Sequence, residues 1–230
     1  MLKGSGLLAL WNGFDPARRA EYDLWHTRQH VPERLAVPGM LRARRYDRGD
    51  GPMPEFLTLY ELDSTAVLSS PPYLRLMESP TEWSRTMRPS FRDFFRLGCH
   101  VQLSRGGGTG GALMALTLAE LAGWTSDAIA AAAGAILAET PATAVHFVSR
   151  DPGVAGVPFA VAGAGFADAG AILVESYGRA ALAETAPPAD TILAARGLAA
   201  KRGAWTHYEL AYALDREALA EIVGRDGPAR

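Results

Sequence analysis

Apolar residues run without interruption through Leu7-Leu8-Ala9-Leu10-Trp11 and again through Leu113-Met114-Ala115-Leu116. Runs of this length without alternation read as strands buried on both faces. After the first run, Asp15-Pro16 provides an N-cap and a proline at the first helical position, so a helix begins there. Pro32 has no amide hydrogen and disfavours helical geometry in the residue before it, which predicts that this helix stops near Val31. Pro38-Gly39 turns the chain into two strands, Met40–Asp47 and Glu55–Leu62, joined by a loop over residues 48–54. Ser79-Pro80-Thr81-Glu82 is a capping box that starts a short helix carrying Trp83, and Phe95–Leu103 closes the pattern as a strand.

The order then repeats. Strand Ala112–Ala119 leads into helix Ser126–Glu139, strands Thr143–Ser149 and Ala171–Tyr177, a helix within 180–196, strand Trp205–Ala213 and a final helix Arg216–Val223. The two apolar openings are 106 residues apart, and Cys99-His100-Val101-Gln102-Leu103 matches Thr206-His207-Tyr208-Glu209-Leu210 at 107, the signature of a duplicated unit. Each half reads βαββαβ, the ferredoxin-like order, with helices on one sheet face only. Burying the free faces predicts an α+β protein of two tandem ferredoxin-like units packed sheet to sheet as an intramolecular α/β barrel. The expected units are 1–105, which carries the site, and a degenerate 112–230, separated by a Gly-rich linker at 106–111.

Composition narrows the function classes. Of 230 residues, 48% are hydrophobic and 21% charged, the profile of a soluble globular chain rather than a disordered, collagenous or membrane-spanning one. Alanine counts are 6 before residue 106 and 35 after it, so the halves differ in surface more than in plan. A formal net charge of −2 leaves no basic footprint for nucleic acid. Cys99 is the only cysteine, which rules out an internal disulfide or a Cys-based metal centre and suggests a reduced, cytoplasmic setting. No signal segment or membrane partner is expected.

Trp25-His26-Thr27-Arg28-Gln29-His30-Val31-Pro32, followed by Pro38-Gly39-Met40, Arg44-Arg45-Tyr46 and Leu57-Thr58-Leu59-Tyr60-Glu61, resembles the EthD-like branch of the dimeric α/β-barrel superfamily, in a tandem-repeat form. The likeness covers residues 25–100; beyond 110 only the element order matches. It implies a barrel that binds small, often aromatic, molecules. The superfamily's chemistries include cofactor-free oxygenation, lactone isomerisation, polyketide cyclisation and haem-dependent reactions, and fold carries over more readily than reaction. The second-half helix Ala128–Leu137 has no counterpart of Trp25, His26 or His30, which assigns the site to the first half.

At about 100° per residue, His26 and His30 lie about 40° apart with Tyr22 and Gln29, opposite a stripe of Ala17, Ala20, Leu24 and Val31. The two histidines then point away from the helix's own core contact or into a cavity mouth beside it, so His26 reads as solvated or pocket-lining, and His30 either caps the helix end or works as an acid or base. Trp25 lies about 140° from His30, so it reads as core or as a pocket wall beside a reoriented histidine. The His-x-x-x-His spacing lacks the acidic residue of a zinc protease, and no metal is expected.

On strand Glu55–Leu62, Glu61 lines up with Leu57 and Leu59, while Phe56, Thr58 and Tyr60 take the other face. A carboxylate among leucines is a candidate acid or base, or an exposed strand-end residue. Arg42 and Arg44 share one face of their strand and Arg45 the other, so a guanidinium is expected beside Glu61 or a ligand carboxylate. On the closing strand, Cys99 with Phe95 and Leu97 is assigned to the helix-packed core, and His100, with His207 as its equivalent, to the barrel interior. Gly106–Gly111 lacks the ending of a phosphate loop, and Ala162-Gly163-Ala164-Gly165 lacks the third glycine of a dinucleotide motif.

These residues suggest an enzyme acting on a small apolar carbonyl or aromatic compound by isomerase, cyclase or cofactor-free monooxygenase chemistry. His30 is the acid–base candidate, with Glu61 and Arg45 as further catalytic candidates and Trp25, His26, Tyr60, Trp83 and His100 as substrate-binding residues. The rival readings are a non-catalytic small-molecule binding protein and a haem protein ligated by His30 or a closing-strand histidine. Paired tandem units allow either a monomer or a homodimer.

Overall fold

The computed structural model describes residues 1–49, 56–154, 168–198 and 203–225; residues 50–54 of the first long loop and Ala162-Gly163-Ala164-Gly165 lie outside the described residues. The strands are β1 (Gly6–Phe14), β2 (Met40–Asp47), β3 (Phe56–Leu62), β4 (Phe91–Gly106), β5 (Ala112–Leu118), β6 (Ala142–Arg150), β7 (Gly170–Ser176) and β8 (Thr206–Asp215). They form one closed antiparallel barrel in the order β1-β3-β2-β8-β5-β7-β6-β4. The first four strands thus lie as β4-β1-β3-β2 and the last four as β8-β5-β7-β6, the same order twice. The two sheets face each other and also join at both edges, β2 to β8 and β4 to β6. Among the described residues, closure leaves no edge strand.

The uninterrupted apolar run of β1 is explained by burial on both sides. Leu7, Ala9 and Trp11 point into the barrel lumen with Leu59, Leu113 and Leu173 from both halves. Leu8 and Leu10 instead pack beneath the first-half helices. The same parity corrects the expectation for β4. Phe95, Leu97 and Cys99 fill the lumen, so Cys99 is a lumen residue, and His100 faces outward with a side chain 51% exposed, 3.3 Å from Asp151. The closed lumen takes the apolar face of this strand, which leaves the more polar face outside. His207 is not the ladder equivalent of His100 either: β5 sets Met114 opposite His207, where β1 sets Leu8 opposite Gly98.

Over the outer face of the first half lie α1 (Arg19–Trp25), a π turn (His26–His30), α2 (Val31–Leu35), α3 (Pro71–Glu78) and α4 (Glu82–Met87). Over the second lie α5 (Ser126–Glu139) and α6 (Arg179–Ala195), and α7 (Arg216–Arg225) follows β8. The first helix does not end at Pro32, as expected. A proline lacks its own amide and clashes with the carbonyl four residues back; widening the preceding turn to an i→i+5 spacing relieves both problems. The Val31 amide accordingly bonds to the His26 carbonyl, and Pro32 sits in the first turn of α2. Helix α3 has no counterpart in the pattern reading, because Pro71-Pro72 looks like a break. Both prolines occupy its first turn, where no amide is needed, behind an N-cap at Ser70.

One end of the lumen is closed by charge. Glu61 and Glu175 hold equivalent ladder positions, opposite Leu7 and Leu113, and both are fully buried. Arg44 joins them: Nε lies 2.9 Å from Glu61 Oε1, and Nη1 lies 2.7 Å from both Glu175 Oε1 and the Tyr46 hydroxyl. Arg42 donates to both Glu61 oxygens, and the amides of Lys3 and Gly110 donate to Glu61 and Glu175. Burial pushes Glu175 up, but His146 and Arg44 outweigh it and hold the carboxyl at about 2. Burial keeps His146 neutral against the pull of Glu175, so its Nε2–H donates to Glu175 while Nδ1 accepts from Ser104. Gly110 is required here: a Cβ would stand 2.4 Å from the Ser176 carbonyl oxygen. The Gly-rich connector is therefore anchored in the barrel end at Gly106 and Gly110, while Gly107, Gly108 and Thr109 are exposed.

Candidate functional site

Between the outer face of the first-half sheet and its helices lies a cavity with about 70 Å³ open to the centres of water-sized molecules. One water needs roughly 10–15 Å³ on that measure, so there is room for a small ring. Leu8, Leu10 and Asn12 of β1, with Thr58 and Tyr60 of β3, form its floor; Tyr73 and Met77 of α3 and Ser84 of α4 close the opposite side.

The π turn builds the remaining wall. In an i→i+5 turn, residues five apart come into register, and the Trp25 and His30 rings lie 4.4 Å apart, centre to centre. His26 is 5.2 Å from His30 and 5.4 Å from Tyr22. Tyr22 is itself packed on Phe14 and Phe56, each at 4.5 Å. Trp25 is thus both core and pocket wall, with its indole N–H donated to Ser84 at 3.2 Å. The helix face carrying Tyr22, Trp25 and His26 is buried and Leu24 is exposed, while Val31 of the opposite stripe is buried too, which corrects the solvated reading of His26. The face was misread because the ring-bearing residues, rather than the small aliphatic ones, supply the packing area.

Among the described residues, the buried His26 Nδ1, His30 Nδ1 and Tyr60 hydroxyl at the cavity have no hydrogen-bond partner. His26 Nε2 is 3.4 Å from the Thr58 hydroxyl, a long contact. Burial, reinforced by the positive charges of Arg45 and Arg34, holds His26 well below the usual histidine range, and burial with Arg34 does the same for His30. Both imidazoles are therefore neutral near pH 7. Burial pushes the Tyr22 phenol up to about 12 and raises Tyr60 as well, so both keep their protons. The cavity thus offers two bare imidazole nitrogens as acceptors and a phenol O–H as donor, against aromatic walls.

Four of the expected site residues meet here: His30, His26, Trp25 and Tyr60. Two stand one layer behind. Arg45 lies 3.1 Å from Asp23 and over the Tyr22 ring, and Trp83 donates its indole N–H to Glu21. Two are elsewhere. Glu61 is on the lumen side of β3, committed to Arg42 and Arg44, and cannot act beside His30 because Tyr60 and Thr58, not Glu61, present the cavity face. His100 is on the outer surface. The cavity itself is outside the lumen, so a ligand held there is not inside the barrel, as the resemblance implied. Pattern reading did not anticipate Tyr73, Met77, Arg34 or Arg88; α3 could have been found from Ser70-Pro71-Pro72 read as a helix start.

No family model matches the chain, and no curated protein matches it. Solved structures do share its fold along nearly the whole length. An anthrone oxidase-like protein superposes with a TM-score of 0.64 at 11% identity, covering 93% of this chain and 94% of its own. A "putative monooxygenase" from Fusobacterium nucleatum gives 0.57 at 9% identity, covering 93% and 96%. A haem-binding protein from Thermus thermophilus gives 0.50 at 12% identity, covering 96% and 95%. At these identities the likeness establishes the α/β-barrel fold.

A haem does not fit the cavity as built. The Trp25, His30 and His26 rings are packed on one another, and the open space is that of a small ring, leaving no slot for a macrocycle against either Nδ1. Among the described residues, no group of three or more His, Cys, Asp or Glu could hold a metal ion, and no helix is long and apolar enough to cross a membrane.

Proposed function

We propose that this chain is a cofactor-independent enzyme that takes a proton from an activated C–H or O–H of a small aromatic or carbonyl compound bound between the first-half sheet and helices. The observation that carries this reading is the convergence of His30 Nδ1, His26 Nδ1 and the Tyr60 hydroxyl, all buried and unpartnered, on one aromatic cavity. Each such atom costs about 1–3 kcal/mol if left unsatisfied, so three together suit a place that a ligand completes. His30 is the base. It is neutral near pH 7 and shares the wall with Trp25, against which a flat substrate can lie. Tyr60 donates its O–H to the substrate oxygen as that oxygen gains charge, and Trp25 and His26 set the ring plane.

In the step proposed, the substrate proton moves to His30 Nδ1 and the electron pair of the broken bond stays on the substrate as an enolate or phenolate. Return of the proton at another carbon gives isomerisation, and attack on an internal carbonyl gives cyclisation. The second half, 112–230, acts as the partner that closes the barrel. Likeness in fold to an anthrone oxidase-like protein and to a monooxygenase-like one supports a small-molecule enzyme.

The test is proton exchange in D₂O, followed by ¹H NMR, over a panel of aryl ketones and phenolic ketones. Wild-type protein accelerates exchange for at least one member, and His30→Gln loses about 10²-fold or more of that rate at an unchanged melting temperature. Full activity in His30→Gln, or no acceleration across the panel, overturns the assignment.

A further inference from the structure

The cavity that holds the two histidines is also ringed with positive charge. Arg34 of α2, Arg88 beyond α4 and Arg96 of β4 line it, against a single lining carboxylate, Glu33. Two of the three have protein partners in view: Arg88 donates to the Met77 carbonyl and Arg96 to the Tyr73 hydroxyl. The Arg34 guanidinium differs, with no hydrogen bond or ion pair to any described residue. Its charge nevertheless acts on His26, His30, Tyr60 and Arg88, groups of the same cavity. Two guanidiniums close enough to repel each other are unfavourable unless something negative sits between them or solvent screens them. A guanidinium fork matches a carboxylate with two parallel hydrogen bonds.

From the lining of Arg34 and Arg88 beside an apolar, ring-sized space, we infer that the compound bound here is an aromatic carboxylate, its ring against Trp25 and its carboxylate toward Arg34. This rests on the reading of the cavity as the ligand site and adds the charge of the ligand to it. Mechanistically, the same two arginines stabilise the anion left when His30 removes a proton, so the ligand's charge and the reaction's developing charge use one electrostatic feature.

The test is a matched pair of probes, 2-hydroxybenzoate and its neutral amide, titrated into the full chain by calorimetry. The carboxylate binds on the order of tenfold tighter or more, the scale of one charge-assisted hydrogen bond. Arg34→Gln loses that preference, and added salt reduces it. Arg88→Gln serves as a second variant should Arg34→Gln fold poorly, with melting curves as the check. Equal binding of the two probes, binding of neither, or a preference that survives both arginine substitutions overturns the inference. Carboxylate preference without proton exchange leaves this inference standing and removes the enzyme reading; exchange activity without the preference does the opposite.

Discussion

The protein contains two clusters of histidine, arginine and tyrosine, one on the lumen side of the barrel wall and one on its outer side, and they differ in how their polar atoms are spent. At the barrel end, Arg44, Glu61, Glu175, His146 and Tyr46 bond to one another, and the carboxylates are further held by Arg42 and two backbone amides. Under the first-half helices, His26, His30 and Tyr60 point bare atoms into a cavity. Residue type alone does not separate the two clusters: apart from Arg44 Nη2, the barrel-end groups are hydrogen-bonded, whereas the imidazole Nδ1 atoms and the Tyr60 hydroxyl at the cavity are not. The second half sharpens the point. There the equivalent space between helix and sheet is filled by Ile129, Ala132, Ala133 and Ile136 packed on Leu116 and Phe147, an apolar interior of small and branched side chains.

Breaking the barrel-end cluster has the largest expected effect. Arg44→Met strands two buried carboxylates and costs about 3–5 kcal/mol of unfolding free energy in urea titrations. A variant as stable as wild type would erase the contrast drawn here. Acid acts next. Glu175 titrates near 2 when folded and near its ordinary 4.5 when unfolded, so it adds about 3 kcal/mol that is fully present above pH 4.5 and is lost as the pH falls toward 2. His26 and His146 shift the onset upward. Both are held below the ordinary 6.5 by burial when folded but titrate there when unfolded, so stability begins to decline as the pH falls below it. His146→Gln flattens this limb in a pH series of melts; an unchanged slope between pH 6.5 and 5 contradicts it.

The smallest effects come from a pair of tyrosines. Tyr46→Phe removes the hydroxyl that accepts from Arg44 and costs about 1.5–3 kcal/mol, the value of a bond to a charged group. Tyr60→Phe removes a hydroxyl that has no partner and leaves stability unchanged or raises it slightly. Equal losses for the two would mean that Tyr60 is satisfied in solution and that the cavity is no different in kind from the barrel end.

Much of the architecture was legible in the chain because it depends on local chemistry. Consecutive apolar residues at 7–11 and 113–116, the Asp15-Pro16 cap, and the repeated element order are properties of neighbours in sequence, and they suffice for two βαββαβ units and for a barrel; the helix after Pro80 starts at a Thr81 cap rather than the Ser79 of the capping box. Alternation also separated the faces of β3 correctly and put Arg42 and Arg44 on one face of β2; that this face meets Glu61 was decided by the sheet. What alternation cannot say is which face is the lumen. His100 and Cys99 exchanged roles for that reason, since both faces of a strand in a two-layered wall are buried in places and only closure of the barrel decides which one meets the other half. The π turn before Pro32 is likewise a tertiary outcome: the chain can stop at a proline or widen the turn ahead of it, and burying Tyr22, Trp25 and His26 as one face favours the second. That choice brings Trp25 and His30 together, where a regular helix would part them, and carries Arg34 to the same cavity; the sequence alone identified the residues, and the packing of the helix on the sheet decided that they meet.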